Sequence, residues 1–159
     1  MNYKFDISPR SGIEPKWEPD VWQVNEKYNN CYSYALNDHD VKRNKKATPG
    51  QLSDNYTCSK LMEGLKHDHP KMYISSFEQA CETGYRKIYA ATSDVDDDGS
   101  NDFHFWRQDA DGMWSHKPGA DHPLRVDGDN RIISNPHLSN REFANRSYGT
   151  SCGFFCIHR

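Results

Sequence analysis

The sequence has 159 residues, which suits one domain, and 35% of them are apolar and 13% aromatic, so aromatic rings are expected to fill much of the core. The formal charge is −3, Lys and Arg are scattered, and no apolar run could span a membrane, which argues against nucleic acid and membrane partners. The first ten residues lack the apolar run of a signal peptide, so the chain is expected to be soluble and either cytoplasmic or exported by a signal-independent route.

The N-terminal half is predicted to be an extended arm followed by short helices. Residues 1–24 are rich in proline and lack periodicity, which is typical of an arm lying over a domain. Apolar spacing and capping residues then predict three helices, over residues 29–38, 58–67 and 75–84, the first of them capped by Asn29 or Asn30.

The C-terminal half is predicted to consist of strands. Their positions are residues 86–93, a hairpin over 103–117, a second hairpin formed by 124–126 and 131–134, and a final strand over 152–158. Helices first and antiparallel strands afterwards are the pattern of an α+β fold, in which N-terminal helices pack on an antiparallel β-sheet. No linker or repeat interrupts the pattern, so residues 1–159 are expected to form a single domain.

The hairpin at 103–117 carries one histidine on each strand, His104 and His116. The turn sequence DADG (109–112) suits a three-residue loop with Gly112 in the left-handed conformation, and this register places both rings on one face within hydrogen-bond range. A loop shorter or longer by one residue would send His116 to the opposite face. In that case Asn135 or Asn140 would have to orient His104.

Five cysteines leave at least one unpaired within a single chain. We expect five buried thiols in a reducing compartment, and the alternative is two disulfides with one thiol kept free for chemistry. Cys152 and Cys156 are four residues apart on one strand, so both should lie on the same face. Their spacing does not match a zinc site, and no metal is expected there.

Cys31 lies at the predicted start of the first helix, where the helix dipole and unpaired N–H groups would stabilise a thiolate. A downstream His104 at the start of a strand could take the thiol proton, and His116 could orient His104. This order of residues resembles the papain superfamily of cysteine hydrolases, and more narrowly its NlpC-like and CHAP-like branch. The resemblance covers roughly residues 29–117.

The resemblance implies a papain-like fold and a cysteine peptidase or amidase that forms a thioester acyl-enzyme. Cys31 would attack the carbonyl carbon of a peptide, protein or cell-wall amide, with His104 as general base and then general acid. Backbone N–H groups near Cys31, helped by Asn30 or Gln23, would hold the oxyanion. That branch usually reads Asp-Cys-Ser-Gly at the nucleophile and this chain reads Asn-Cys-Tyr-Ser, so the substrate stays open.

Two other functions are consistent with the same residues. The acyl-enzyme could pass its acyl group to an amine, as in a transglutaminase, or the protein could act as a deamidase. A rival from another class is a non-catalytic binding domain with an acidic loop stiffened by calcium, since Asp94, Asp96 and Asp98 match the start of an EF-hand loop. The acidic residue required at the loop's last position is Phe105 here, so we expect a bare surface turn and no cofactor.

Overall fold

A computed structural model describes residues 6–22 and 27–158 of the chain. The helices are α1 (Cys31–Ala35) and α2 (Cys58–Asp68), with two short 3₁₀ helices at Pro19–Val21 and Pro49–Gln51. The strands are β1 (Tyr73–Ser75), β2 (Tyr85–Thr92), β3 (Phe103–Gln108), β4 (Trp114–Ser115) and β5 (Thr150–His158). Within the described ranges, no helix is both long and apolar enough to cross a bilayer.

The five strands form one sheet in the order β1-β5-β2-β3-β4, with every neighbouring pair antiparallel. The last strand of the chain therefore lies between β1 and β2. Helix α1 packs against β3, and α2 contacts β2. The predicted α+β class, with helices preceding and covering an antiparallel sheet, is confirmed at this level.

The sheet has buried side chains on both of its faces. Successive side chains of a strand point to opposite faces, so each face forms its own core. On the helical face, Ile88 and Phe105 pack against Leu61 and Leu65 of α2 and against α1. The opposite face is mainly aromatic, and its buried members are Tyr89, Ala91, Trp106, Trp114, Ile133, Tyr148 and Phe154. The expectation that rings fill much of the interior is confirmed.

The N-terminal segment, over the described residues 6–22, contacts the β3–β4 hairpin. The side-chain amide of Gln108 donates to the carbonyl of Ser8 at 2.7 Å, and the N–H of Ala110 donates to the carbonyl of Pro15 at 2.8 Å. The ammonium group of buried Lys87 donates to the hydroxyl of Ser8 at 2.7 Å. These bonds pair the carbonyl groups of Ser8 and Pro15 and attach the arm to the sheet.

Two element predictions differ from the structure. The helix predicted over 75–84 is absent: Tyr73–Ser75 form β1, and residues 76–84 form bends and turns. The pairing of β1 with β5 and the disulfide bond between Cys81 and Cys156 outweigh the helical spacing of the apolar residues in this segment. The second hairpin is reduced to isolated bridges, of which Val126↔Ile132 joins its two arms, while His116↔Leu124 and Trp114↔Ile133 join those arms to the β4 region.

The cysteines also differ from the favoured prediction. Cys58 is bonded to Cys152, Cys81 is bonded to Cys156, and Cys31 alone is free, which matches the alternative of two disulfides and one thiol. Cys152 and Cys156 do not share a face. A bulge at Gly153, where φ is +97°, shifts the β2–β5 register, so Cys152 packs on the helical core while Cys156 points the other way.

Candidate active site at Cys31, His104 and His116

The β3–β4 hairpin has the register predicted from its turn. Gln108 pairs with Trp114, and the N–H of Asp109 donates to the carbonyl of Met113 at 2.8 Å. Gly112 closes the turn with φ of +91°. His104 and His116 therefore point to the same face of the sheet.

The two histidine rings are directly hydrogen-bonded. His104 Nε2 lies 2.8 Å from His116 Nδ1, and His116 Nε2 lies 2.9 Å from the carbonyl oxygen of Val126. A carbonyl only accepts, so the proton of a neutral His116 belongs on Nε2 and its Nδ1 is bare. His104 must then donate from Nε2, which leaves Nδ1 of His104 with a free lone pair. Two fixed contacts thus assign the tautomers of both rings.

Aromatic side chains enclose this histidine pair. Tyr148 stacks on His104 with ring centroids 5.1 Å apart, Trp106 meets the same ring edge-on at 4.6 Å, and Phe143 lies 5.4 Å from His116. Burial is the largest cause that lowers the pKa of His104 well below its ordinary value, followed by the neighbouring His116. Burial also lowers the pKa of His116 to about 4. Both rings are neutral at pH 7.

Cys31 is the first residue of α1, as predicted. Asn30 is the N-cap: its side-chain oxygen accepts from the N–H groups of Tyr32 and Ser33, and the Ser33 hydroxyl accepts from the N–H of Asn30. This capping box begins the helix at Cys31. The sulfur lies 4.0 Å from the carbonyl oxygen of Phe103, the residue before His104.

The expected stabilisation of a thiolate at Cys31 is wrong for the resting protein. The pKa of the Cys31 thiol is raised to about 12, chiefly by burial and secondly by the carboxylate of Asp102. N–H groups of Phe105 and Tyr32 lower the pKa only in part. With five residues, α1 has too few aligned peptide groups to offset a 5% exposed position. Cys31 is therefore a protonated thiol at pH 7.

Cys31, His104 and His116 line one cavity of about 390 Å³. The structure thus brings the three predicted residues together at a common space. Its other walls come from the residue before α1, from the loop that follows α1, from the start of β3, from the loop after β4 and from the segment before β5. They comprise Asn30, Lys46, Asp102, Phe103, Pro118, Gly119, Asp121, Phe143, Ala144, Asn145, Arg146 and Tyr148.

The remaining candidate residues have other places. Asn135 and Asn140 do not line the cavity, and their side-chain oxygens accept from the N–H groups of His137 and Glu142. Because the register put His116 beside His104, neither asparagine is needed as the orienting group. Gln23 lies outside the described residues.

The side chain of Asn30, predicted as an oxyanion donor, lines the cavity and makes two other contacts. One N–H of its NH₂ group donates to the carbonyl of Ala47 at 2.7 Å and its oxygen caps α1, so the second N–H of the amide remains for another acceptor. Among the described residues, the N–H of Cys31 itself has no acceptor, since it precedes the first intrahelical bond. The backbone N–H of Cys31 belongs to the predicted set of oxyanion donors.

The predicted acidic loop contacts the cavity wall through Arg146. The guanidinium of Arg146 lies 3.1 Å from Asp96 and 3.9 Å from Asp102, and the Tyr148 hydroxyl donates to Asp102 at 3.0 Å. Asp98 accepts from Ser100. No group of three His, Cys, Asp or Glu side chains in the described ranges could hold a metal ion.

Asp102, Phe143, Arg146 and Tyr148 are site residues that the sequence did not reveal. Asp102 adjoins Phe103 at the start of β3. This position beside the predicted strand was the one feature of the sequence that could have indicated a site residue. The other three belong to residues 142–148, whose sequence has no recognisable motif. They reach the histidine pair only because β5, which follows them, is inserted into the middle of the sheet.

Comparison with known proteins finds one relative of note. The chain is 28% identical over 131 residues to insoluble matrix shell protein 1 of Ruditapes philippinarum, and the aligned region covers 79% of this chain and 81% of that protein. No family model and no solved structure matches the chain.

Proposed function

We propose that the protein is a thiol hydrolase that cleaves an amide or peptide bond through Cys31, His104 and His116. The main support for this proposal is the series of hydrogen bonds from His104 through His116 to the carbonyl of Val126. These hydrogen bonds leave the free lone pair of His104 on Nδ1. His104 also shares a cavity with Cys31, the one free thiol among the five cysteines. A nucleophile, a base and an orienting group are the parts that acyl transfer needs.

The proposed reaction has two halves, the formation and the hydrolysis of a thioester, and His104 transfers protons in both. As the sulfur of Cys31 bonds to the substrate carbonyl carbon, its proton passes to Nδ1 of His104, and the oxyanion accepts from the N–H of Cys31. The carbon–nitrogen bond then breaks, and His104 returns the proton to the leaving amine. Water attacks the thioester and gives a proton to His104. The carbon–sulfur bond then breaks, and His104 passes that proton to the sulfur, which releases a carboxylic acid and the Cys31 thiol.

The buried setting favours proton transfer during bond formation rather than a pre-formed ion pair. Burial raises the pKa of Cys31 and lowers that of His104, so both groups are neutral at rest. Charge develops only when a substrate supplies the carbonyl oxygen that carries it. Such a site reacts with ligands that place an electrophilic carbon beside sulfur, and reacts slowly with reagents that need a free thiolate.

The test is the pH–rate profile for modification of Cys31 by chloroacetamide, which carries an amide, read by intact mass. In the proposed mechanism His104→Ala lowers the rate at pH 7 by about 10²-fold, the low end of general-base effects. The matched control is His137→Ala, an exposed histidine outside the cavity. Incubation with a peptide library should then give amine release that Cys31→Ser abolishes. Equal rates for the wild type and His104→Ala would contradict the proposal.

Acyl transfer to an amine is a second candidate that the enclosure of the site favours. Cys31 is 5% and His104 4% exposed, and Phe143 and Tyr148 cover the histidine pair, which limits access of water to a thioester. The two outcomes differ only in the acceptor. Adding a primary amine to the peptide-library reaction should divert product from acid to substituted amide if the protein is a transferase.

A non-catalytic role in an extracellular matrix is a candidate of another class. It is favoured by the two disulfides, which persist in oxidising compartments, and by the relative described as an insoluble matrix shell protein. In that role Cys31 is a core residue, and neither His104→Ala nor His116→Ala changes its reaction rate. The pH–rate profile of Cys31 modification therefore distinguishes an enzyme from a non-catalytic matrix protein.

A further inference from the structure

A buried lysine joins the two halves of the candidate site. Lys117 follows His116 directly and is fully buried. Its ammonium donates to the carbonyl of Asn29 at 2.7 Å and to the carbonyl of Gly119 at 2.8 Å. Asn29 precedes the N-cap Asn30, so one side chain links the residue beside the orienting histidine to the segment that begins the nucleophile helix.

The same lysine shapes a wall of the cavity. Backbone bonds in both directions between His116 and Leu124 close the loop over residues 117–123. Within that loop Lys117 turns back onto the carbonyl of Gly119, and Pro118 and Gly119 line the cavity. The ammonium thereby holds the loop, the strand and the helix start in one arrangement.

We infer that Lys117 is a positioning residue of the Cys31–His104–His116 site, which sets the distance between the nucleophile helix and the histidine pair. The inference rests on the proposed function. A side chain that only filled core volume would not need an ammonium, because desolvating a charge is costly and an apolar group of equal length packs as well. Bonds to carbonyls of two segments fix geometry in a way that an apolar contact cannot.

The chain contains a matched control for this inference. Lys87 is also buried, and its ammonium also donates to main-chain carbonyls, those of Phe77 at 3.3 Å and of Gln79, as well as to Ser8. It ties the N-terminal arm to β2 and does not line the cavity. Lys87→Met therefore removes a comparable buried charge at a position that does not contact the cavity of Cys31, His104 and His116.

The experiment compares Lys117→Met, Lys117→Gln and Lys87→Met with the wild type by the pH–rate profile of Cys31 with chloroacetamide, alongside the melting temperature. Since misplacement by about 1 Å can cost up to about 10²-fold in rate, we expect Lys117→Met to react at least about tenfold more slowly at pH 7 than Lys87→Met. Lys117→Gln, which keeps one amide donor, should lie between them.

The results of this experiment distinguish a failure of the inference about Lys117 from a failure of the proposed hydrolase function. If the wild-type rate depends on His104 while Lys117→Met matches Lys87→Met, the inference is overturned and the proposed function stands. If the wild type reacts no faster than His104→Ala, both are overturned. If neither Lys117 variant folds where Lys87→Met does, Lys117 serves stability and the inference is again overturned.

Discussion

Burial, more than neighbouring charge, sets the protonation of the three candidate catalytic side chains. It is the largest cause of the raised pKa of Cys31 and of the lowered pKa values of His104 and His116. The effects have opposite signs because a thiol is charged when deprotonated and an imidazole when protonated. The resting site is therefore neutral, and the proposed reaction depends on the geometry of proton transfer from Cys31 to His104.

The carboxylate of Asp102 should restrain Cys31, since it is the second cause of the raised thiol pKa. Asp102→Asn removes the charge and keeps an oxygen that can accept from the N–H of Phe103, a bond of 2.9 Å in the structure. We expect the pKa of Cys31 to fall and the iodoacetamide reaction at pH 7 to accelerate by about two- to fivefold. Asp94→Asn, on the exposed loop, is the control. An unchanged or slower reaction of Asp102→Asn would refute this reading of the electrostatics.

The histidine pair should also make stability depend on pH. In the folded protein the pKa of His116 is about 4, against about 6.5 for an unfolded chain, so the unfolded state binds the proton first. The stabilisation is complete above about pH 6.5, is lost as the pH falls to about 4, and amounts to at most about 3 kcal/mol for this ring. His104 acts in the same direction.

Urea unfolding between pH 7 and pH 4 measures this loss, and His116→Asn should reduce the slope of the free energy of unfolding against pH. A variant slope as steep as that of the wild type would mean that other groups cause the dependence.

Among the elements, α1 is short but strongly specified. Its five residues are all buried, and the capping box of Asn30 and Ser33 satisfies the N–H groups of Tyr32, Ser33 and Asn30. The helix places Cys31 at the cavity, and the hairpin places both histidines there. Each element is defined by local chemistry, a cap in one case and a left-handed glycine in the other.

The cap of α1 can be tested by substitution at Asn30. Asn30→Ala removes both the acceptor for the helix N–H groups and the donor to Ala47, so we expect the free energy of unfolding to fall by about 1–2 kcal/mol. Asn30→Ser keeps a capping acceptor and should lose less. Urea denaturation monitored by circular dichroism gives both values. Equal losses would show that the bond to Ala47, rather than the cap, stabilises the segment.

For the whole molecule, two disulfides connect β5 to distant parts of the chain. The Cys58–Cys152 bond spans 94 residues and joins β5 to α2, and the Cys81–Cys156 bond spans 75 residues. Both anchor the strand that lies between β1 and β2. Loops of this size lose considerable chain entropy when closed, about 4–5 kcal/mol each in the unfolded state.

Removing the longer cross-link should therefore destabilise the protein without dismantling the site chemistry. We expect the double variant Cys58→Ser, Cys152→Ser to lose about 2–5 kcal/mol and to melt roughly 10 °C lower by calorimetry. Thiol titration of the unreduced wild type after denaturation should find one thiol per chain. Five titratable thiols would restore the reduced state that the sequence favoured.

The sequence by itself determined the features that depend on neighbouring residues. The start of α1 at Cys31, the hairpin register that joins His104 to His116, and the α+β order of elements all follow from caps, turn chemistry and side-chain alternation. Only the tertiary structure decided the cysteine pairing, the strand at Tyr73–Ser75, the aromatic cover over the histidines and the neutral state of Cys31. These depend on contacts between segments that are distant in the chain, and on burial, which no local pattern of residues reports.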